Sequence, residues 1–587
     1  MYVRTIKVPS SNGSINEYVR IVEAYRQDGK VKQRVVADLG RKDLLLELLP
    51  KLERVLRGTP SVAGEDIDVT ILESWTWGPV LVLRTLFEQL GLWQILDEHL
   101  GRPRPREDAA QVPYADRAFV LVANRFTPRP SSEHGLARWL ETDFVCDRLG
   151  RRFVPRWHRH GRVRVHSQQL QAWYGTLDRL VAAKSRIEVA LFGRLRDLFS
   201  LQPDLVLYDI TSTYFEGGGP EGFAKHGYSR DGKAQNVQVV VGLVMVAGWP
   251  IAHHVWPGNT LDVTTVSEAI SDLTERFGIR RVIFVGDRGM VSEENLDELR
   301  RNHHGYLVGL RRRRNAQVDA WLQRVDEAKW QDCPGGINAR ERKQPLPTRV
   351  QEIATGDEPQ RVFVIDSEER RQYEQGKRQQ AMERTRDGLE KVQQRVARGS
   401  LREPAAIGAA AERALRAHHG SRYYTWELCN GSFSFREDPQ RFPQEQRLEG
   451  RYVIATSEKD VTALDAVAWY KELIEVEHGF RSLKDVLALR PIYHRVEPRV
   501  KAHIFVAFLA LLLQRLLTKR LKEAEADLSA PHALQAVETI RLVEFKVARQ
   551  KRQGASRGSV QAQQVLKALG ITETKPPVPA EGSRELM

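Results

Sequence analysis

Three acidic side chains lie at positions where their chemistry is unusual. Asp209 interrupts the apolar run of residues 205–213, and Asp287 directly follows the apolar run of residues 282–285. Glu477 lies in a polar segment with helical spacing. A carboxylate within a buried strand is costly unless it is paired or binds a metal ion. These three residues are therefore candidate metal ligands.

The chemistry that three such carboxylates support is phosphoryl transfer. Mg²⁺ prefers oxygen ligands and leaves positions open for water and phosphate oxygens. Two such ions about 3.5–4 Å apart activate the attacking oxygen and stabilise the leaving oxygen in an in-line displacement at phosphorus. We predict that Asp209, Asp287 and Glu477 are catalytic and bind two Mg²⁺ ions, for which Mn²⁺ can substitute.

The residues around Glu477 form a mixed stripe on the predicted helix. Spacings of three and four place on one helix face Tyr470, Leu473, Glu477, Arg481 and Lys484. An aromatic ring, a carboxylate and two cations do not suit a simple core face. They suit a face that meets metal ions and phosphates, which makes Tyr470, Arg481 and Lys484 candidate phosphate-binding residues.

A mixed α/β sheet must position the two aspartates. The sequence predicts a meander of three strands at residues 205–213, 236–245 and 249–255. A helix, a strand at 281–285, a second helix and a strand at 306–310 follow. This order is typical of a mixed sheet, and Asp287 lies at the C-terminal end of a strand, where α/β folds commonly place their sites.

The composition is that of a globular protein with a basic surface. The chain has 587 residues, and its 90 Lys+Arg against 76 Asp+Glu give a formal net charge of +14, which favours a polyanionic partner. Cys146, Cys333 and Cys429 are too few and too scattered for a disulfide framework or a cysteine zinc module. The N-terminus has no apolar leader. We expect a protein of a reducing, cytoplasmic compartment.

The motifs around the three acids resemble those of the insertion-sequence-four family of DDE transposases. Residues 208–213 are similar to the first motif of that family, and residues 286–290 are similar to the second. In the third motif the spacing is Tyr, two residues, Arg, three residues, Glu, six residues, Lys. This chain matches it at Tyr470, Glu477 and Lys484, but has Leu473 at the Arg position.

The resemblance implies a ribonuclease-H-like core that is interrupted before the helix with Glu477. The gap between Asp287 and Glu477 is far longer than one strand and one helix require, which places an insertion domain at residues 311–449. It further implies excision by water attack at the element ends, attack of the freed 3′-hydroxyl on target DNA, and a homodimer on paired terminal inverted repeats.

Other cations and aromatic residues near this core are candidate DNA contacts. Arg288 follows Asp287, and Arg311 and Arg313 belong to an arginine run directly after the fifth strand, where they could clamp backbone phosphates. Tryptophans of the insertion could stabilise a flipped base during hairpin formation, with core packing as the favoured alternative. These tryptophans are Trp321, Trp330 and Trp426.

The expected fold class is α/β: a ribonuclease-H-like mixed sheet with a large insertion, preceded by a small β-hairpin module and a helical DNA-binding region. The apolar segment 504–513 is about half as long as a bilayer span and is expected to pack on the sheet. The predicted domains are an N-terminal β-rich module (1–65), a helical region that binds DNA ends (66–200), the core (201–310 and 450–525), the insertion (311–449) and a helical tail with a loosely ordered end (526–587).

Three functions remain open at this point. The first is an active transposase that binds terminal inverted repeats and carries out Mg²⁺-dependent cleavage and strand transfer on element and target DNA. The second is a DNA-binding regulator without cleavage activity, although such a protein has no use for three unpaired buried acids. The third is a nuclease on the same core that cleaves DNA without joining it.

Overall fold

A computed structural model gives the architecture of most of the chain. The described residues are 1–9, 15–56, 69–103, 112–128, 130–154, 167–201, 204–279, 282–287, 292–310, 315–333, 346–355, 360–547, 550–579 and 585–586. They form two compact units, one of Met1–Leu72 with Glu544–Arg552 and one of Glu73–Val543 with Gln553–Met587.

The first unit contains an antiparallel sheet with strand order β1-β2-β3. Its tight turn at Asp28 and Gly29, both with positive φ, joins the two long strands as the hairpin pattern predicts. The elements along residues 1–76 are β1 (Tyr2–Pro9), β2 (Ile15–Gln27), β3 (Lys30–Arg41), α1 (Lys42–Leu56) and β4 (Val69–Thr76).

A helical region follows. Its helices bury apolar stripes in a common core that includes Phe87, Phe119 and Leu177. The elements are α2 (Gly78–Gln89), α3 (Leu92–Leu100), α4 (Tyr114–Arg125), α5 (Leu136–Thr142), β5 (Arg152–Phe153) and α6 (Ser167–Phe199).

The predicted meander and the two strand–helix repeats are present in the predicted order. In β7 every residue is buried, as expected for a strand covered on both faces. The elements are β6 (Leu205–Tyr214), β7 (Gln238–Val246), β8 (Trp249–Pro257), a 3₁₀ turn (Asp262–Thr265), α7 (Val266–Glu275), β9 (Ile283–Gly286), α8 (Glu293–Arg301) and β10 (Gly305–Gly309).

The segment predicted as an insertion contains both sheet strands and a separate helical body. Its elements are α9 (Ala316–Gln323), a 3₁₀ turn (Glu327–Lys329), β11 (Gln331–Cys333), β12 (Thr348–Ile353), β13 (Arg361–Ser367), α10 (Glu368–Ala397), α11 (Pro404–Ala417), a 3₁₀ turn (Gly420–Arg422), β14 (Tyr424–Cys429), β15 (Ser432–Glu437) and α12 (Arg441–Leu448). Residues of α10, α11 and the β14–β15 hairpin share a core of their own.

The prediction that all of residues 311–449 lie outside the core is wrong, because three of these strands join the main sheet. The elements that complete the sheet and its helices are β16 (Arg451–Thr456), α13 (Ala463–Lys471), α14 (Leu473–Arg481), a π-helical turn (Ser482–Val486) and α15 (Glu497–Glu523). The sheet has nine strands in the described part of the chain, in the order β11-β12-β13-β16-β10-β9-β6-β7-β8.

The sheet is covered by helices on both faces. On one face Leu207, Leu243 and Val285 share a core with Val476 and Phe508 of the helices that follow β16. On the other face the apolar side chains of β6, β7 and β9 pack against α7 and α8. Because side chains alternate along a strand, neighbouring residues of β6 face opposite helix layers.

Helix α15 is the apolar helix anticipated from the sequence. By length and composition it is the one described helix that could cross a membrane, yet 89% of its most apolar window is buried inside the protein. Phe505 and Phe508 stack on His253 of β8, with ring centroids 5.5 and 4.8 Å from the imidazole. The helix therefore packs on the sheet, as predicted.

The C-terminal region differs from the predicted helical tail. It contains α16 (Ala530–Val537), β17 (Arg541–Val547), β18 (Gln550–Ala555), α17 (Val560–Ala568) and β19 (Glu585–Leu586). Strands β17 and β18 lie in a sheet with β4, so this region contains strands as well as helices. Residues 585–586 pair with β5, whereas residues 580–584, in the end predicted to be loosely ordered, lie outside the described residues.

Candidate active site

The two aspartates lie side by side on adjacent parallel strands. Strands β6 and β9 pair with Leu207 opposite Val285. Two residues further along each strand, the same register brings Asp209 level with Asp287. Asp209 is half-buried and Asp287 is exposed, just beyond the end of β9.

Because side chains alternate along a strand, Asp209 faces the helix layer that contains Glu477. Leu207, two residues earlier, packs in the core shared with α14 and α15, whereas Tyr208 packs on the opposite face. The backbone N–H of Ile210 donates a 2.7 Å hydrogen bond to Oδ1 of Asp209. One carboxylate oxygen is thus held, and the other remains available at the helix-covered face.

Helix α14 brings Glu477 over the sheet by a close approach of the two backbones. Gly479 packs on β7, where an added Cβ would lie 2.9 Å from Cδ2 of Leu243. Val476 and Phe480 are buried beside it. Glu477 is exposed between them, at the edge where the two aspartates lie.

The three carboxylates interact electrostatically. Burial is the main cause that raises the pKa of Asp209 to about 7, and the negative charges of Asp287 and Glu477 raise it further. Burial also raises the pKa of Glu477, with a further contribution from Asp287. This mutual repulsion places the three acids in one cluster.

The donor set of this cluster fits divalent cations. Within the described ranges, no lysine or arginine forms an ion pair with Asp209, Asp287 or Glu477. Three converging carboxylates without a paired cation are hard oxygen ligands of the kind that Mg²⁺ and Mn²⁺ bind. Asp209, Asp287 and Glu477 are thus the residues that would hold the metal.

The raised pKa of Asp209 predicts an unusual stability effect in metal-free protein. The folded-state pKa of Asp209 is raised from 3.8 to about 7, so its ionised form opposes folding, and the penalty grows as the pH rises until it is complete above about 7. In EDTA, Asp209→Asn is therefore expected to raise the melting temperature. The gain should be larger near pH 8 than near pH 5, and a variant that melts below the wild type at both pH values would contradict the raised pKa of Asp209.

Tyr470 lies against Asp287 rather than in open solvent. Its hydroxyl donates a 3.3 Å hydrogen bond to Oδ1 of Asp287. A Cβ at Gly309 would lie 2.3 Å from this hydroxyl, so the glycine makes room for it. Burial raises the pKa of Tyr470 well above its usual value, which keeps the hydroxyl protonated as a donor. In this structure Tyr470 can orient the second aspartate.

Tyr470→Phe is expected to lower DNA cleavage about 10- to 100-fold, the usual effect of losing a hydrogen bond to a metal ligand. DNA binding should be unchanged, because only the orientation of Asp287 is altered. Tyr452, whose ring centroid lies 5.8 Å from that of Tyr470, provides the matched Tyr→Phe control. Equal cleavage by the two variants would show that the hydroxyl of Tyr470 has no role.

Lys484 is bound within the protein. Its Nζ lies 2.7 Å from Oδ1 of Asp231, and Nη1 of Arg490 lies 2.6 Å from the same oxygen. The side chains of Lys484 and Asp231 are only 10% and 3% exposed. Burial is the main cause that lowers the pKa of Lys484. The lysine therefore ties the π-helical turn after α14 to the loop of Asp231.

Of the other predicted DNA contacts, Arg481 lies within the described residues. Arg481 is exposed at the end of α14, and its charge lowers the pKa of Glu477, so it lies near the acidic cluster. Leu473, which stands at the Arg position of the third motif, packs against the main core. Arg288, Arg311 and Arg313 lie outside the described residues.

One cation near the cluster was not predicted as a site residue. The backbone N–H of Arg230 donates a 2.9 Å hydrogen bond to the hydroxyl of Ser212 in β6, and its guanidinium lies 2.6 Å from Asp262. Its charge lowers the pKa of Asp209. The signal in the sequence is its place in the segment 227–233, between the first two motifs, but a single arginine in a polar loop does not reveal its partners.

A second cluster of acid and histidine has an arginine where a metal ion would otherwise bind. Glu133, His494 and His503 have ligand atoms within 4.8 Å of one another. Nη2 of Arg125 lies 3.6 Å from Glu133 and 3.2 Å from Nδ1 of His503. The second ring nitrogen of His503 bonds the carbonyl of Leu489 at 3.1 Å. These contacts therefore fix the position of Leu489, which follows the π-helical turn.

Comparisons with known proteins agree with this geometry. The model of the transposase DDE domain matches residues 202–513, and the model of the IS1634 family transposase N-terminal domain matches residues 3–65. The label insertion-sequence-four is thus slightly off, whereas a DDE transposase of an insertion sequence is confirmed. No curated protein matches the chain.

Among solved structures, the chain is similar to a piggyBac transposase synaptic complex with hairpin DNA. The identity is 9% and the TM-score 0.33, over 86% of each chain.

The matched DDE domain spans more than half of the chain and includes all three acids. It agrees with the mixed sheet and the helix layers, so the predicted fold class is confirmed. Enzymes with this domain cut and join DNA and use divalent metal ions. The chain belongs to the DDE transposases and is the transposase of an insertion sequence.

Proposed function

We propose that this transposase excises its element and inserts it elsewhere with Asp209, Asp287 and Glu477 as the catalytic carboxylates. The observation that carries the proposal is their convergence: two lie level on adjacent strands, and the third interacts with both across the helix layer. We further propose two Mg²⁺ ions, replaceable by Mn²⁺. Bound divalent ions would supply Lewis-acid activation of the attacking oxygen and charge stabilisation at phosphorus.

Two reactions at phosphorus account for excision and insertion. In the first, water attacks the phosphate at the element end, the bond to the 3′ oxygen breaks, and that oxygen takes up a proton. In the second, the freed 3′-hydroxyl attacks a target phosphate, loses its proton, and displaces the 3′ oxygen of the target strand. Such chemistry needs mainly positioning and charge stabilisation from a protein.

The chain's own residues supply that positioning. Asp209 is fixed by the N–H of Ile210, and Asp287 by the hydroxyl of Tyr470. Arg481, exposed beside Glu477, is the described member of the predicted third-motif stripe best placed to meet a phosphate. Arg288, Arg311 and Arg313 are proposed phosphate contacts on their sequence positions alone.

Assembly and location complete the proposal. A homodimer holding two terminal inverted repeats would keep both element ends together until insertion. Target DNA would then enter the same carboxylate cluster. With a net charge of +14, the protein would act in the bacterial cytoplasm and associate with the nucleoid through DNA.

The experiment is a cleavage and joining assay with linear DNA that carries the gene's own flanking sequences, together with a circular plasmid as target. Cuts at defined ends and joined products, both dependent on Mg²⁺, are expected. Glu477→Gln should abolish both, whereas Asp297→Asn, an exposed acid of α8, should not. Cutting without joining would indicate a nuclease, and specific binding without cutting would indicate a regulator.

A further inference from the structure

A buried acid joins the segment after α14 to the loop between β6 and β7. Asp231 is 3% exposed, and its Oδ1 lies 2.7 Å from Nζ of Lys484 and 2.6 Å from Nη1 of Arg490. The second carboxylate oxygen of Asp231 is also buried and accepts no hydrogen bond from the described residues. One oxygen atom therefore holds two cations that both follow Glu477 in the chain.

Lys484 lies on a π-helical turn instead of a regular helix. In a regular α-helix, a residue seven places after Glu477 lies on nearly the same face. At Ser482–Val486 the geometry changes, because the N–H of Leu487 donates a 3.0 Å hydrogen bond to the carbonyl of Ser482, five residues earlier. Lys484 is buried there, whereas Arg481, four residues after Glu477, is exposed. Such turns are frequent at functional sites.

The loop of Asp231 is attached to the strand that contains Asp209. The backbone N–H of Arg230 donates a 2.9 Å hydrogen bond to the hydroxyl of Ser212, three residues after Asp209 on β6. Asp231 is the next residue of the loop. This hydrogen bond therefore fixes the backbone of the buried acid relative to the strand of the first catalytic aspartate.

The segment that contains Arg490 is attached to the end of the same strand. The N–H of Ile492 donates a 3.0 Å hydrogen bond to the carbonyl of Tyr214, and the N–H of Glu216 donates a 2.9 Å hydrogen bond to the carbonyl of Ile492. Arg490 thus reaches Asp231 from a chain that is itself hydrogen-bonded to β6. Both sides of the ion-pair network are anchored next to the sheet.

The burial of this network argues against a DNA contact by Lys484. A phosphate would have to withdraw the lysine from a site in which the side chains of Lys484 and Asp231 are only 10% and 3% exposed. Breaking a buried ion pair leaves an uncompensated charge, which is strongly unfavourable. Arg481 meets no such obstacle, because it is exposed at the end of α14.

We propose that Asp231 is a positioning residue for Glu477. It holds Lys484, and with it the C-terminal end of α14, in a fixed place relative to the strand of Asp209. Arg490 supports this arrangement by placing a second positive charge on the same oxygen. Lys484 then serves the reaction without touching DNA. The inference rests on the proposed function, because it concerns the placement of a proposed metal ligand.

The first test is the salt dependence of DNA affinity, measured with the full-length protein and a duplex of the gene's flanking sequence, with Ca²⁺ in place of Mg²⁺. Loss of one phosphate contact lowers the slope of log Kd against log salt concentration by about one. Lys484→Met should leave the slope unchanged, and Asp231 keeps Arg490 as its counter-charge in this variant. Arg481→Met should lower the slope by about one. An equal decrease in the two variants would overturn the proposal.

The second test is the rate of Mg²⁺-dependent cleavage at saturating DNA. Asp231→Asn should lower it about 10- to 100-fold, because a misplacement of about 1 Å at the reacting groups has an effect of this size. The same variant should need more Mg²⁺ for half-maximal cleavage, with unchanged DNA affinity. Asp485→Asn is the matched control, because Asp485 also pairs with Arg490, at 2.7 Å, but is 53% exposed. It should cleave as the wild type does.

A double variant shows whether Lys484 acts through Asp231. Lys484→Met should slow cleavage by itself but should not slow Asp231→Asn further, because both changes break the same ion pair. Losses that multiply, or an unchanged Mg²⁺ requirement in Asp231→Asn, would overturn the proposal. If Asp231→Asn does not fold, Lys484→Met alone must show the unchanged salt slope and the raised Mg²⁺ requirement. A wild type that binds but does not cleave would contradict the proposed function instead, and the salt slopes would still test the role of Lys484.

Discussion

Asp287→Asn is expected to abolish DNA cleavage while leaving DNA binding intact. The substitution removes one of the carboxylates that would hold the metal but keeps the shape and the hydrogen-bonding capacity of the side chain. Loss of a residue that only hydrogen-bonds a metal ligand costs about 10- to 100-fold, so loss of the ligand itself should exceed that range. Gel assays of nicking and mobility-shift assays on the same DNA give the two measurements.

Asp297→Asn is the control for this loss. Asp297 lies on the nearby helix α8, is 61% exposed, and pairs with Arg300 at 2.6 Å. Its variant should cleave as the wild type does. Cleavage by Asp287→Asn at a rate near that of the wild type would remove Asp287 from the metal site, and loss of binding in that variant would indicate a folding defect instead.

Glu188→Gln is expected to cause the largest loss of stability, about 3–5 kcal/mol of unfolding free energy. Glu188 is fully buried on α6 and accepts hydrogen bonds from Lys184, His253 and Arg276. Burial alone would raise the pKa of Glu188, but these partners lower it to about 2. An amide would leave Lys184 without its buried counter-charge and would leave Arg276 with Asp272, 3.2 Å away, as its remaining described acidic partner.

The effect of pH on this network has a defined sign. The pKa of Glu188 is lowered in the fold, so its contribution is present above the unfolded value of 4.5 and is lost as the pH falls toward about 2. Burial lowers the pKa of His253 to about 4, so the neutral imidazole is favoured, and folding loses stability as the pH falls below 6.5. Both groups predict that acid destabilises the protein.

Denaturant unfolding of the wild type and Glu188→Gln at neutral pH measures the loss. Glu427→Gln is the matched control, because Glu427 pairs with Arg436 at 3.0 Å but both side chains are more than half exposed. Exposed pairs contribute little, so this variant should unfold as the wild type does. Equal stabilities for the two variants would show that the buried network contributes no more than a surface pair.

The sequence allows prediction of the strands and of the acidic cluster, because both depend on local pattern. The apolar runs of β6 and β9 are short and bounded by polar residues, and strand parity then brings Asp209 and Asp287 to one edge. Glu477 was found through its motif spacing rather than through any contact. These features need no knowledge of distant packing.

The interruption between α13 and α14 could not be predicted. The segment has no proline or glycine before Gly479, and its helical spacing continues through Glu472. Tertiary contacts determine the break, since Tyr470 bonds Asp287 while Gly479 packs on β7. The continuous stripe of the sequence is therefore divided between two short helices, α13 and α14.

Long-range pairing explains the other differences. From the sequence alone Lys484 is predicted to be a cation available to DNA. In the structure it pairs with Asp231, which lies far away along the chain. Strand β13 reads as part of an insertion, but its apolar residues pair with β16 in the main sheet. Neither partner can be identified from a short stretch of sequence, because both pairings join segments that are distant along the chain.

The most direct test of the shared metal site is an anomalous diffraction experiment with Mn²⁺ on the protein bound to DNA of its own flanking sequence. The account predicts Mn²⁺ ions in contact with Asp209, Asp287 and Glu477. Ions that bind elsewhere, or a site that lacks Asp209, would contradict it.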